Sequence, residues 1–208
     1  MLAENDKPII VQPRLSYSNI KWIHQILPNL TNEIGGAIEL NQQGEFERFT
    51  LYTSEHKLEM SLPDFFQIEF HLHFDPYAIQ LPSIVDLRIA EKRKIGYDSE
   101  EGDQQVSGQL NVVFCTKGVV VYRFDPTVIR DPDFTRTPET HYEDIYKIMN
   151  KGNDRISGIC KQIEEIEAMS KFKYSFTSWG KVKESGGVDL GKFCLNEIVK
   201  NRKPIKLH

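Results

Sequence analysis

Apolar residues along this chain fall into two periods, and the switches between them mark out its elements. Pro8 to Pro13 carries a short apolar run that predicts a first strand. Leu15-Ser16-Tyr17-Ser18 leads into a stretch where Ile20, Ile23, Ile26 and Leu27 recur at helical spacing, and Pro28 predicts its end. Glu33 to Leu40 and Glu45 to Thr53 are β-like runs joined by Asn41-Gln42-Gln43-Gly44, a good hairpin turn. Phe65 to His73 is aromatic and β-branched without helical period, which predicts another strand. Pro82 and Ser83 are helix-start residues, and a helix is expected from Ser83 to Gly96. Tyr97 to Gln109 is acidic and poor in apolar residues, the composition of a solvated loop.

Beyond Phe124 the pattern changes. Asp125 to Thr140 carries Pro126, Pro132 and Pro138 among Asp and Arg residues and reads as a linker. Tyr142 to Ser170 returns to near-helical spacing with Gly152 and Gly158 as weak points, so one long helix or two shorter ones are expected. Phe172, Tyr174 and Phe176 alternate as on a strand or an aromatic face. Lys183 to Gly187 reads as a polar turn, Phe193 to Val199 as a short helix, and Lys200-Asn201-Arg202-Lys203-Pro204 as a basic end.

Candidate chemistry concentrates around His71-Leu72-His73. On a strand, residues i and i+2 project from one face, so the two imidazoles point into one place. Asp86 lies one turn into the predicted helix. Two histidines and one carboxylate leave a fourth coordination position open, as in a catalytic zinc site. Neutral imidazoles and a carboxylate preserve the Lewis acidity that activates water for attack on a carbonyl. Such chemistry needs a general base, for which Glu33, before Gly35-Gly36, is the candidate. Glu39 shares its strand parity and is the rival. A His-x-His pair alone is often two solvated side chains; the ordered set of Glu, His-x-His and Ser-x-x-Asp is what carries weight. His24, on the flank of the first helix, reads as a half-exposed polar residue.

These residues resemble the signature of the JAMM (MPN-plus) zinc metalloproteases: Glu33 with Gly35-Gly36, His71-x-His73 and Ser83-x-x-Asp86. The resemblance runs from about Lys7 to Phe124 and includes the strand pair Asn111 to Phe124. It implies a mixed β-sheet flanked by helices, of the cytidine-deaminase-like kind, over residues 1–124; residues 125–208 lie outside the resemblance and read from their own pattern as a mainly helical C-terminal extension. It further implies that His71, His73 and Asp86 bind Zn²⁺, that Glu33 is the general acid/base, and that Ser83 polarises the scissile carbonyl. Phe74 departs from the family's Pro, and Asp75-Pro76 follows in a longer interval before Ser83; Asp75 suits a turn or a competing ligand. The implied function is a zinc-dependent peptidase or isopeptidase acting on a peptide or ubiquitin-like protein. The alternative is a non-catalytic MPN-fold subunit of a larger assembly. The extension is, by analogy, a candidate surface for a protein partner or a homodimer.

Composition narrows the picture further. A net charge of −4 over 208 residues, with no basic stripe before the C-terminus, argues against a nucleic-acid binder. No apolar run approaches the ~20 residues that span a bilayer, and Met1 to Lys7 has no signal-peptide core, so an intracellular, cytoplasmic setting is expected. Cys115, Cys160 and Cys194 lack Cys-x-x-Cys spacing and read as buried or free thiols, not as disulfides or a second zinc site.

Overall fold

The computed structural model describes residues 10–31, 34–41, 43–52, 68–73, 80–97, 110–125, 138–151 and 155–194, and builds them around one mixed sheet. In chain order the elements are β1 (Ile10–Val11), β2 (Arg14–Ser16), α1 (Tyr17–Ile26), a 3-10 turn (Leu27–Asn29), β3 (Gly35–Leu40), β4 (Phe46–Tyr52), β5 (Ile68–His73) and α2 (Ile84–Tyr97). There follow β6 (Leu110–Cys115), β7 (Gly118–Phe124), α3 (Pro138–Met149), α4 (Ile156–Met169), β8 (Phe172–Ser178), α5 (Trp179–Ser185), β9 (Gly187–Asp189) and β10 (Phe193–Cys194).

The six-stranded sheet has the order β4-β3-β5-β6-β7-β8. All neighbours are antiparallel except β5 and β6. A parallel pair cannot be closed by a tight turn, and α2 lies on the crossover between its two strands. Leu110 to Cys115 is buried along its whole length, as a strand covered on both faces must be. The result is a mixed α/β protein with helices on both sides of the sheet.

Each face has its own core. On one side Ile20 and Ile23 of α1 and Leu27 of the 3-10 turn, with Trp179 and Val182 of α5, cover Phe70, Leu72, Val112 and Phe114. On the other, Leu87 and Ala90 of α2, Ile145 of α3, and Ile159 and Ile166 of α4 cover Val113, Val120 and Tyr122. Gly36 permits the tight approach of β3 to β4, because a methyl group there would overlap the Thr50 carbonyl oxygen.

The region after Phe124 departs from its expected place. The boundary drawn at Phe124 falls inside one continuous sheet: β8 pairs with β7 from Phe124↔Phe172 to Gly118↔Ser178. The aromatic alternation of Phe172, Tyr174 and Phe176 is therefore an edge strand of the main sheet. The stretch from Tyr142 to Ser170 forms two helices whose apolar face is covered by that sheet. Pro138, expected in the linker, opens α3, where a missing N–H costs nothing. Lys183, expected in a turn, lies in α5, which starts at a Ser178 cap and ends at Gly186 with φ 76°. Phe193 and Cys194, expected to begin a short helix, form β10 against β1. The predicted loop after Tyr97, most of the linker and the basic end fall outside the described residues. Among the described residues no helix is long and apolar enough to cross a membrane.

Candidate metal centre

His71 and His73 project from the face of β5 that carries α2, because Phe70 and Leu72 take the opposite face into the α1 core. Their strand runs parallel to β6, with His71 beside Val113 and His73 beside Cys115. Across β3, His71 faces Gly35, which presents no side chain to the imidazole. The pair thus stands at the carboxyl end of a parallel strand, where α/β sheets place their ligands.

Asp86 reaches the pair from the first turn of α2. Ser83 and Asp86 form a reciprocal cap: the Ser83 amide donates to Asp86 Oδ2 at 2.6 Å, and Ser83 Oγ accepts from the Asp86 amide at 3.2 Å. This fixes the carboxylate's rotamer and holds the helix start over the strand. Gln80 and Leu81 are buried just before it, and Thr116 donates to Gln80 Oε1 at 2.9 Å, tying this segment to the β6–β7 turn. His71 Nε2 lies 3.4 Å from Asp86 Oδ2, and the two imidazole rings are 4.8 Å apart. One ligand atom from each of His71, His73 and Asp86 falls within 4.8 Å of the others.

That cluster fits a metal ion. Ligands at zinc's tetrahedral bond lengths stand about 3.3 Å from one another, so the His71–Asp86 edge already has the required length. Burial alone would push the Asp86 carboxyl up; the charge of His71 and its hydrogen bond, the Ser83 hydrogen bond and His73 outweigh it. They hold the group well below the ordinary 3.8, so a charged oxygen donor is present at neutral pH. Within the cluster the donors are three protein groups of the N and O kinds that suit zinc, and they leave room for a fourth.

The other sequence candidates divide plainly. Ser83 is at the site. Its hydroxyl accepts from the Asp86 amide and still has a hydrogen to donate. Glu33 lies outside the described residues, as do Phe74 and Asp75. Glu39 is not brought to the site: it is four positions from Gly35 on β3, about 13 Å along the strand, and its carboxylate is taken by Arg48 and Thr50. His24 is on the other side of the sheet, stacked on Trp179 with ring centroids 4.3 Å apart. Burial and Lys183 lower its pKa, and among the described residues it belongs to no metal-ligating cluster.

No family model, curated protein or solved structure matches this chain.

Cys115, the neighbour of His73, is not drawn into the cluster. Its thiol donates to the Gly118 carbonyl at 3.3 Å, and burial pushes its pKa up to about 11. Native protein treated with a thiol reagent near pH 8 is expected to react at exposed Cys160 and to spare Cys115 until it unfolds. Peptide mapping checks this; fast modification of Cys115 would mean that the β6–β7 turn opens.

Sequence reasoning did not single out Gln80 or Tyr142. Tyr142, on α3, donates to Glu91 of α2 and carries Arg88 over its ring, 5.1 Å from the centroid. It anchors the helix that carries Asp86. No pattern in the sequence announces this contact, because its partners are 51 residues apart.

Proposed function

We propose that this protein is a zinc-dependent peptidase or isopeptidase of the JAMM type. The convergence of His71, His73 and Asp86 carries the reading. When bound, zinc supplies the Lewis acidity that makes water nucleophilic near neutral pH. His71 and His73 act as neutral imidazole ligands, and Asp86, kept ionised by its surroundings, offsets part of the ion's charge. Glu33 takes the proton released when water attacks and returns it to the leaving amine. The Ser83 hydroxyl donates to the carbonyl oxygen as negative charge develops there. The substrate is a peptide or a ubiquitin-like protein joined through an amide.

The capping box favours a second reading, since it gives the Ser-x-x-Asp spacing a structural reason of its own. In that reading the chain is a non-catalytic MPN-fold subunit of an assembly. Elemental analysis of protein prepared without chelators separates the two, with about one zinc per chain expected for the enzyme. Glu33→Gln is then expected to lower amide hydrolysis at least ~100-fold while zinc content and thermal midpoint stay unchanged. Retained turnover would remove Glu33 as the base, and a zinc-free protein after zinc is offered would remove the enzyme.

A further inference from the structure

Helix α2 is held in place by contacts of different kinds. Leu87 and Ala90 press it onto the core. Apolar packing is non-directional, so it fixes the height of the helix above the strands and does little to stop a slide along its axis. Tyr142 of α3 grips Glu91, further along the helix. The end that carries Ser83 and Asp86 depends on the segment just before it, where Gln80, Leu81 and Pro82 are all buried.

Gln80 is 4% exposed, and a side-chain amide so deeply buried costs free energy unless its polar atoms are paired. The Thr116 hydroxyl donates to Gln80 Oε1 at 2.9 Å. One partner lies ahead of α2 and the other in the turn between β6 and β7. That turn is a firm base. Cys115 Sγ donates to the Gly118 carbonyl at 3.3 Å. From α5, Trp179 donates its indole N–H to the Cys115 carbonyl at 2.8 Å and its amide to the Lys117 carbonyl at 3.3 Å. A side chain at Gly118 would run into the Thr177 carbonyl oxygen, so β8 also lies hard against the turn. In the parallel register Cys115 stands beside His73, which puts Thr116 one residue beyond the level of the second histidine.

We propose that Gln80 is a positioning residue of the metal centre: through Thr116 it locks the head of α2 to the level of His73 and so sets where the Asp86 carboxylate meets the two imidazoles. This rests on the reading of His71, His73 and Asp86 as metal ligands. The capping box ties Asp86 to Ser83, so a displacement of the segment at Gln80 is passed on to the carboxylate. The tolerance is small, since metal–ligand distances are held to about 0.2 Å, whereas one residue of slide along a helix is about 1.5 Å. Without the tether Asp86 keeps its cap and its charge and loses its register with His73.

Three variants of the full chain, each loaded with Zn²⁺ or Co²⁺ alone, test this. Thr116→Val keeps the side chain's shape and removes the donor to the buried Gln80 oxygen. Zinc is expected to bind about 10-fold more weakly in competition against a chromophoric chelator, within the range for outer-shell changes. The Co²⁺ visible spectrum is expected to shift, and the thermal midpoint of the metal-free protein to fall. Thr116→Ser keeps a hydroxyl and is expected to return both metal readouts to those of the wild type. Thr116→Val combined with Gln80→Met removes both partners, so the metal-free midpoint is expected to recover while zinc stays about 10-fold weaker. The double variant also serves if Thr116→Val alone does not fold. Zinc affinity unchanged in Thr116→Val, or restored along with the midpoint in the double variant, would overturn the proposal and leave the bond a structural tie. Failure of the wild-type chain to bind either metal would instead overturn the metal-centre reading, and this inference with it.

Discussion

Asp86→Asn is expected to strip the metal from the protein while leaving the fold standing. The substitution keeps an oxygen for the Ser83 amide, so the capping box survives, and it removes the negative charge that an ion with two neutral imidazoles requires. Losing an outer-shell group costs about 10- to 100-fold in affinity, and loss of a ligand falls beyond that range. Zinc content should drop from about one per chain to background, and hydrolytic activity with it. The stability of the metal-free forms should differ by less than about 1 kcal/mol, the worth of one cap. Asp86→Ala breaks the cap as well and should lose both metal and that increment. Elemental analysis beside urea unfolding of the two variants separates the roles. Full zinc retention in Asp86→Asn would show that Asp86 is a capping residue only.

The largest effect on stability is expected from Phe114→Ala. Phe114 is wholly buried near the carboxyl end of β6, edge-on to Phe49 and Phe70 with centroids 6.4 and 5.8 Å away, and stacked with Trp179 at 6.4 Å. Removing such a ring costs about 3–5 kcal/mol in transfer and cavity terms. Against the ~5–15 kcal/mol that separates folded from unfolded domains, this is a large share. Urea unfolding should show the midpoint fall with the slope unchanged. The ring lies on the α1 face of the sheet and the candidate metal ligands on the other, so the folded variant should match the wild type in zinc content. A loss under 1 kcal/mol would mean that the aromatic cluster is not packed as described.

Much of the architecture was legible where local pattern and tertiary context agree. The strands at Gly35–Leu40, Phe46–Tyr52 and Ile68–His73 and the helix that follows fall where alternation, the Asn41 turn and the Ser83 start place them. His71, His73 and Asp86 were legible for the same reason: strand parity and the first turn of a helix are local geometry. Sequence could not show that β8 joins β7, because the partners Phe124 and Phe172 are far apart along the chain and their pairing is decided by packing. The same limit hid α5. Trp179-Gly180-Lys181-Val182 has too few residues for a helical period to show, and what makes it a helix is the cap at Ser178 and the burial of Trp179 and Val182 against α1.

The short strands carry a consequence for how the molecule is made. β1 lies against β10 and β2 against β9, so residues near position 10 hydrogen-bond to residues near position 194. On the ribosome, Leu15 and Val11 have no partners on those strands until Val188 and Phe193 have left the exit tunnel. The candidate metal ligands, His71, His73 and Asp86, have all been synthesised long before that moment. A nascent chain therefore holds the candidate donors His71, His73 and Asp86 well before the β1–β10 and β2–β9 pairs can form.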